Sequence, residues 1–278
     1  LNGEELSQPT GKPLNEAPVW QRALIMAAGA CMNFLLGFVV MAIVLAAQNE
    51  PITSRVIYAV EDGALCGQTG LEAGDKVLAV NGRRCFVAND MLYELMRTED
   101  YSASFTVLRD GKKVELPRVQ FDTWQDEDGE THMSLGFTVY GIKKTPVNVI
   151  KEAWNSVLYY GRIIFTSLMD LLRGRESIND LSGPVGIVTA IGQAASYGWQ
   201  DLLELLVLIT VNLGIFNLLP FPALDGGKVV FLLIEGVTGH AVPEKIQSGL
   251  TLAAFALLFA LMIFATYNDI VRLVTGAI

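Results

Sequence analysis

Charge is scarce in this chain. Asp, Glu, Lys and Arg make up only 18% of its 278 residues, and 51% are hydrophobic; a soluble globular domain carries about 25% charge. An ordinary water-soluble domain is therefore excluded. Positive charge is scarcer still, since 20 Lys and Arg stand against 29 Asp and Glu for a net charge of −9. Nucleic-acid phosphates require clusters of Lys and Arg, and no basic stripe occurs, so nucleic-acid binding is excluded too. The histidines are only His132 and His240, and the cysteines only Cys31, Cys66 and Cys85. Cys31 lies in an apolar run, where a small buried thiol is the default, and spacing alone leaves a Cys66 to Cys85 disulfide open.

What is present is length without charge. Leu24 to Ala47, Leu205 to Leu224 and Gln247 to Asn268 contain no Asp, Glu, Lys, Arg or His, and each reaches the roughly 20 residues needed to cross a bilayer. The first is not a signal peptide by pattern, because a polar segment precedes it and no small-residue cleavage site follows. Most of the acidity lies between the first two runs, from Pro51 to about Lys151. There, "SRVIYAV", "DKVLAVNG" and "ASFTVLRDGKKVELPRV" alternate as short strands, and "RDGKK" carries an Asp-Gly hairpin signal. "ANDMLYELMRT" has helical apolar spacing, with Asn89 or Asp90 as the expected N-cap.

"TGLEAGDKVLAVNG", Thr69 to Gly82, resembles the core of PDZ domains. The resemblance implies an extended peptide bound by strand addition, with Gly70, Leu71, Gly74 and Asp75 in the peptide-binding region. The glycines also serve turns.

The last part of the second run reads "NLLPFPALDGG", Asn217 to Gly227. Prolines within a spanning segment free backbone groups that lipid cannot satisfy, which calls for a protected pocket. A carboxylate at that depth is costly and is a functional hypothesis by default. Gly226 and Gly227 are expected to let the chain turn tightly after Asp225. The plainer reading is a helix that ends at the interface, with Asp225 capping the next one.

"NLGIFNLLPFPALDGG", Asn212 to Gly227, resembles the third motif of the site-2 protease family of intramembrane zinc metalloproteases. "PVWQRALIMAAGACMNF" from Pro18, "NDLSGPVGIV" from Asn179 and "NDIVRL" from Asn268 resemble further segments of its PDZ-bearing bacterial branch, with Ala30 where many members have proline. The resemblance implies hydrolysis of a peptide bond within the membrane on Zn2+, with Asp225 as the metal-ligating aspartate. It implies Asn212 and Asn217 as holders of unwound substrate backbone, and Pro220 and Pro222 as residues shaping the cleft. The implied substrates are single-pass membrane proteins such as anti-sigma factors, in regulated intramembrane proteolysis.

The family also uses an H-E-x-x-H helix, which supplies two histidine ligands and the general base. Neither His132 nor His240 belongs to such a motif, and both read as surface residues. The first residue is Leu1 and not Met, and the resemblance begins in the loop before the second family helix. One explanation is therefore a helix upstream of Leu1 that carries the motif, so that the general-base glutamate is expected there and not at any residue of this chain. The alternative is a noncatalytic PDZ membrane adaptor. A small transporter, with Asp225 as an ion site, is a third reading.

The resulting expectation is a polytopic α-helical membrane protein with about three transmembrane helices and an inserted PDZ-like α+β domain. Residues 1–50 hold the polar start and first span, 51–122 the PDZ-like domain, 123–180 a linker and interfacial helix, and 181–278 the membrane core. Val147 to Gly174 is apolar on one side but contains Lys151, Glu152, Arg162 and Asp170, which reads as a helix lying on the bilayer surface, a fourth crossing being the alternative. The uncharged, Gly- and Ala-rich stretch Leu181 to Gln200 reads as a closely packed helix. Lys12, Arg22, Lys228 and Lys245 fit a cytoplasmic side, which places the PDZ-like domain outside a bacterial inner membrane.

Overall fold

The computed structural model describes residues 17–98, 100–126, 129–175 and 182–275. In chain order the first elements are α1 (Val19–Ala47), β1 (Ile52–Val60), α2 (Leu65–Gln68), β2 (Lys76–Val80), β3 (Arg83–Arg84) and α3 (Ala88–Met96). Next come β4 (Ser102–Arg109), β5 (Lys112–Gln120), β6 (Asp122–Gln125), β7 (Thr131–Ser134) and β8 (Phe137–Ile142). The chain continues through α4 (Pro146–Leu172), α5 (Pro184–Tyr197), α6 (Trp199–Leu218), α7 (Asp225–Thr238) and α8 (Glu244–Thr275). It divides into two compact units, residues 38–163 and the remainder. Leu1 and the polar start through Glu16, Lys12 included, lie outside the described residues.

The first unit is built on an antiparallel sheet of order β5-β4-β2-β1-β8, with β3 paired to β2 and the β6–β7 hairpin separate. Its core holds Ile57, Leu71, Val77, Val80, Met91, Leu95, Phe105, Val107 and Val119, all but fully buried. The Asp-Gly signal is realised between β4 and β5, where Asp110 and Gly111 both take positive φ, 48° and 77°. That pair of angles is the type I′ geometry that matches strand twist. The sheet also recruits β8, which pairs with β1 from Ile52↔Ile142 to Val60↔Phe137, beyond the 51–122 stretch in which the sequence places the β-rich segment.

Helix α3 starts two to three residues earlier than its polar residues suggest. Val87 is the N-cap, and Asp90, in the third helical position, reaches back so that its Oδ2 accepts the Val87 N–H at 2.9 Å and also the Phe86 N–H. Asp90 is fully buried and also receives Arg162 of α4, which lies 3.5 Å from Glu94 as well. A half-buried cation between two buried carboxylates ties α4 to α3 within this unit.

Cys66 and Cys85 are separate buried thiols and form no disulfide. Burial, and then the nearby Asp90 carboxylate, push the Cys85 thiol up from its ordinary 9.0 to about 12. The folded state therefore holds this proton more tightly than the unfolded chain does, so stability is complete below pH 9 and declines as pH rises from 9 towards 12. Chemical denaturation of the full protein across that range should show the decline, and Cys85→Ala should reduce its slope.

The second unit is helical. Among the described residues three helices, α1 with 29 residues, α6 with 20 and α8 with 32, are long and apolar enough to cross a membrane. Helices α1 and α6 approach closely because Gly37 faces Thr210 and Val211 and because Gly214 faces the Phe34 ring, with room for a Cβ only at about 3 Å. Small residues at such crossings let apolar helices gain dispersion contacts in lipid. Helix α5 realises most of the glycine- and alanine-rich stretch and packs along both α6 and α8. Residues 176–181, which include Asn179 and the first residue of that stretch, Leu181, lie outside the described residues.

Candidate functional site

Helix α6 ends at Leu218, and Leu219 is extended, with φ −63° and ψ 142°. Pro220 explains both facts, since it offers no N–H and disfavours helical geometry in the residue before it. The uncharged run therefore stops being helix six residues before its last member, Leu224. The break is locally bonded: the Leu219 N–H donates to Phe216 O at 3.0 Å, Phe221 N–H to Leu219 O at 2.7 Å and Leu224 N–H to Phe221 O at 2.9 Å. Thr251 of α8 adds its hydroxyl to Pro222 O at 3.2 Å. Backbone groups that the prolines release are thus met within protein, as an apolar medium demands.

Asp225 is the first residue of α7, and Leu224 precedes it in extended geometry. Both sequence readings meet here, because Asp225 stands at the break and also opens a helix, where negative charge is favoured. Its carboxylate is 36% exposed and meets Lys228 Nζ at 3.3 Å, one turn on and itself exposed. So weak a tie leaves its oxygens available for chemistry.

The reason for the two glycines differs from the expected tight turn. Gly226 and Gly227 lie inside α7 and do not take positive φ. A Cβ on Gly226 would meet Leu218 C and O at 2.5 Å, and one on Gly227 would lie 2.6 Å from Phe221 C and 2.7 Å from Pro222 Cα. They permit the first turn of α7 to rest on the backbone of the break, and so fix where Asp225 stands.

Of the other expected residues, Asn217 is half-buried on the last turn of α6, beside Pro220 and Pro222. Asn212 is exposed, about 7.5 Å earlier along the axis and about 140° round it, so the two amides leave different faces of α6. Residues that the sequence did not single out complete the surroundings. Gly29 of α1 lies against the carboxylate, since its Cβ would be 3.8 Å from Asp225 Oδ2, and Arg22 of α1 pairs with Glu235 of α7. A cavity of about 550 Å³ borders Lys228 and is lined also by Arg22, Met26, Phe231 and Glu235. The signal for Gly29 is the small-residue run "AAGA" at Ala27 to Ala30.

Of the residues expected in the peptide-binding region of the other unit, two are buried and two are glycines in turns. Leu71 is 2% exposed and belongs to the core, and Asp75 is fully buried. Asp75 accepts Arg109 Nε and Nη2, both at 2.7 Å, and the Glu72 N–H at 3.0 Å. Gly70 and Gly74 take the positive φ of the connecting turns. These four residues shape the α2–β2 connection, with Leu71 and Asp75 buried and Gly74 exposed.

A three-ligand zinc site needs His or carboxylate donors about 2 Å from the ion, and the chain's own residues supply one at this point. His240 binds the backbone of Thr238 beyond the far end of α7, about 20 Å along the helix from Asp225. His132 lies in the sheet unit, 2.6 Å from Asp126 Oδ2. Asp126, Glu130 and His132 are the one trio of His, Cys, Asp or Glu side chains among the described residues close enough to share a cation, and the trio does not include Asp225. The general base expected ahead of Leu1 has no counterpart in an H-E-x-x-H motif from Leu1 to Ile278. The residues present therefore fit one ligand position and do not complete a zinc centre.

The model of Peptidase family M50 matches residues 3–261. The chain is similar to the regulator of sigma-W protease RasP of Bacillus subtilis, with 30% identity over 274 residues, which cover 98% of this chain and 64% of that protein. It is similar to the zinc metalloproteases RasP of Bacillus licheniformis, 31% identical over 98% of this chain and 65% of that protein, and of Geobacillus kaustophilus, 35% identical over 90% and 59%. The chain thus spans less than two thirds of the length of these relatives. The match runs through both the sheet unit and the Asp225 site, and on that extent the chain belongs to Peptidase family M50, the site-2 protease family.

Proposed function

We propose that this chain is the larger part of a membrane-embedded zinc metalloprotease that cleaves transmembrane segments of single-pass proteins in regulated intramembrane proteolysis. The observation that carries the reading is the placing of Asp225, an available carboxylate set at a proline break between apolar helices and held there by two glycines that admit no side chain. Asp225 provides one metal ligand. The family's H-E-x-x-H motif does not occur within these 278 residues, so in this reading its two histidine ligands and glutamate base belong to the remainder of the protease. When bound, Zn2+ would activate water for attack on a carbonyl. The chain's own residues hold Asp225 in place; Asn217 presents its amide to substrate backbone that has left its helix at the break, and Asn212, on a different face of α6, meets the substrate at another point. The Bacillus subtilis relative is named for sigma-W, which supports an anti-sigma factor as substrate.

The sheet unit is PDZ-like in this reading and lies on the extracytoplasmic side of a bacterial inner membrane. A peptide binds this unit by strand addition, in the region of Gly70, Leu71, Gly74 and Asp75 or along β8, an end strand of the sheet. Helix α4 lies on the bilayer surface with Val147, Ile150, Trp154 and Leu158 exposed along one stripe.

The test is reconstitution of the full-length protein in proteoliposomes with a single-pass substrate. Expected is cleavage within the transmembrane segment, stopped by a chelator and restored by zinc. Peptide binding without any cleavage would replace this reading by the noncatalytic adaptor.

A further inference from the structure

Asp269 lies in α8, a helix long and apolar enough to span a membrane, and it is fully buried. Its Oδ2 accepts the Gly186 N–H at 2.7 Å, in the first turn of α5. That turn has no cap of its own, since its N-cap residue is Gly183, whose side chain offers nothing, and Pro184 follows without an N–H. The carboxylate of one helix thus meets the unsatisfied amide end of another, where its charge also suits the helix dipole. The approach is close. A Cβ on Gly183 would fall 2.8 Å from Ala265 C, Thr266 N and Asp269 Oδ2, and one on Gly186 would fall 3.1 Å from Asp269 Oδ1. That second oxygen, Oδ1, is buried with no hydrogen-bond partner among the described residues.

A buried carboxylate with one oxygen unmatched is a poor means of holding two apolar helices together, because a well-packed apolar contact would do so without the cost of desolvating charge. What the carboxylate adds is direction. It binds one amide at one register, and α5 then packs along α6, the helix that carries Asn212 and Asn217 and ends at the break before Asp225. We propose that Asp269 is a positioning residue for the Asp225 site, acting by fixing the start of α5 against α8. The proposal rests on the protease reading for its effect on turnover, though not for its effect on α5.

Both parts are tested in the full-length protein with Asp269→Ala, which removes the acceptor, and Asp269→Asn, which keeps one. Spin labels at the exposed positions Gln193 of α5 and Leu206 of α6 report the place of α5 without substrate. A single narrow distance is expected in the parent and in Asp269→Asn, and a broadened one in Asp269→Ala. In the cleavage assay Asp269→Ala should lower kcat about fivefold, the factor to which the stability contribution of a typical cap corresponds if it is felt in full at the site, with KM unchanged; Asp269→Asn should remain within about twofold of the parent, because its amide oxygen still accepts. A narrow distance in Asp269→Ala overturns the cap, and parental kcat in that variant overturns positioning. Equal loss in both variants together with general unfolding also overturns positioning, since a folding role alone then accounts for it. Absence of cleavage by the parent itself would count against the protease reading, and the distance measurement would still decide the α5 contact.

Discussion

Asp225→Ala is expected to abolish substrate cleavage by the full-length protein while leaving its fold almost unchanged. The two halves of that expectation have separate physical grounds. Removing a partner that merely orients a metal ligand costs about 10- to 100-fold, and loss of a ligand itself should exceed that range. The folded state loses little, because Asp225 is tied by an exposed contact to Lys228 at 3.3 Å, worth a few tenths of a kcal/mol, plus the interaction of a carboxylate with a helix start, worth about 0.3 to 1 kcal/mol. Thermal unfolding in detergent and bound zinc measured by mass spectrometry separate the two effects. Unchanged melting with lost zinc and lost cleavage is the expected pattern. Normal cleavage by Asp225→Ala would remove Asp225 from the site.

Gly227→Ala should do the reverse, damaging the fold first and activity as a result. In a free helix alanine is favoured over glycine by about 1 kcal/mol, so helix propensity predicts stabilisation. Tertiary contact reverses the sign, since the added Cβ would lie 2.6 Å from Phe221 C and 2.7 Å from Pro222 Cα, both backbone atoms that cannot rotate away. Overpacking of this kind costs about 1 to 3 kcal/mol and sometimes more, and the outcome should fall at or above the upper end. Gly249 in α8 is the control, because nothing lies within 4 Å of its Cβ position; Gly249→Ala should be neutral or stabilising by up to about 1 kcal/mol. If both alanines behave alike, the close contact between α7 and the break is not present in solution.

Much of this architecture is legible in the chain. Apolar runs of membrane length report their helices directly, because length and absence of charge are local properties. The Asp110-Gly111 turn is equally local, as its two positive φ angles depend on those two residues and the twist of their strands. Pro220 marks the end of α6 for the same reason. The N-cap of α3 escapes a reading of adjacent residues because Asp90 acts backwards from the third position, a choice that its burial against Arg162 favours. The pairing of Asp75 with Arg109 is not legible in the motif around Gly70, Leu71, Gly74 and Asp75, because Arg109 lies on a strand 34 positions away and only the sheet brings the two together.

The sequence by itself determined that the chain carries three membrane-length helices, a β-rich segment between the first two, and a carboxylate at a proline break. Each of these follows from residues within one helix length of each other. Only the tertiary structure decided that β8 completes the sheet beside β1, that Gly29 faces Asp225, that Gly226 and Gly227 serve close contact and not a turn, and that Asp269 caps a helix 83 positions away. Those facts depend on which distant segments share a surface, and hydropathy and turn chemistry constrain only neighbours along the chain.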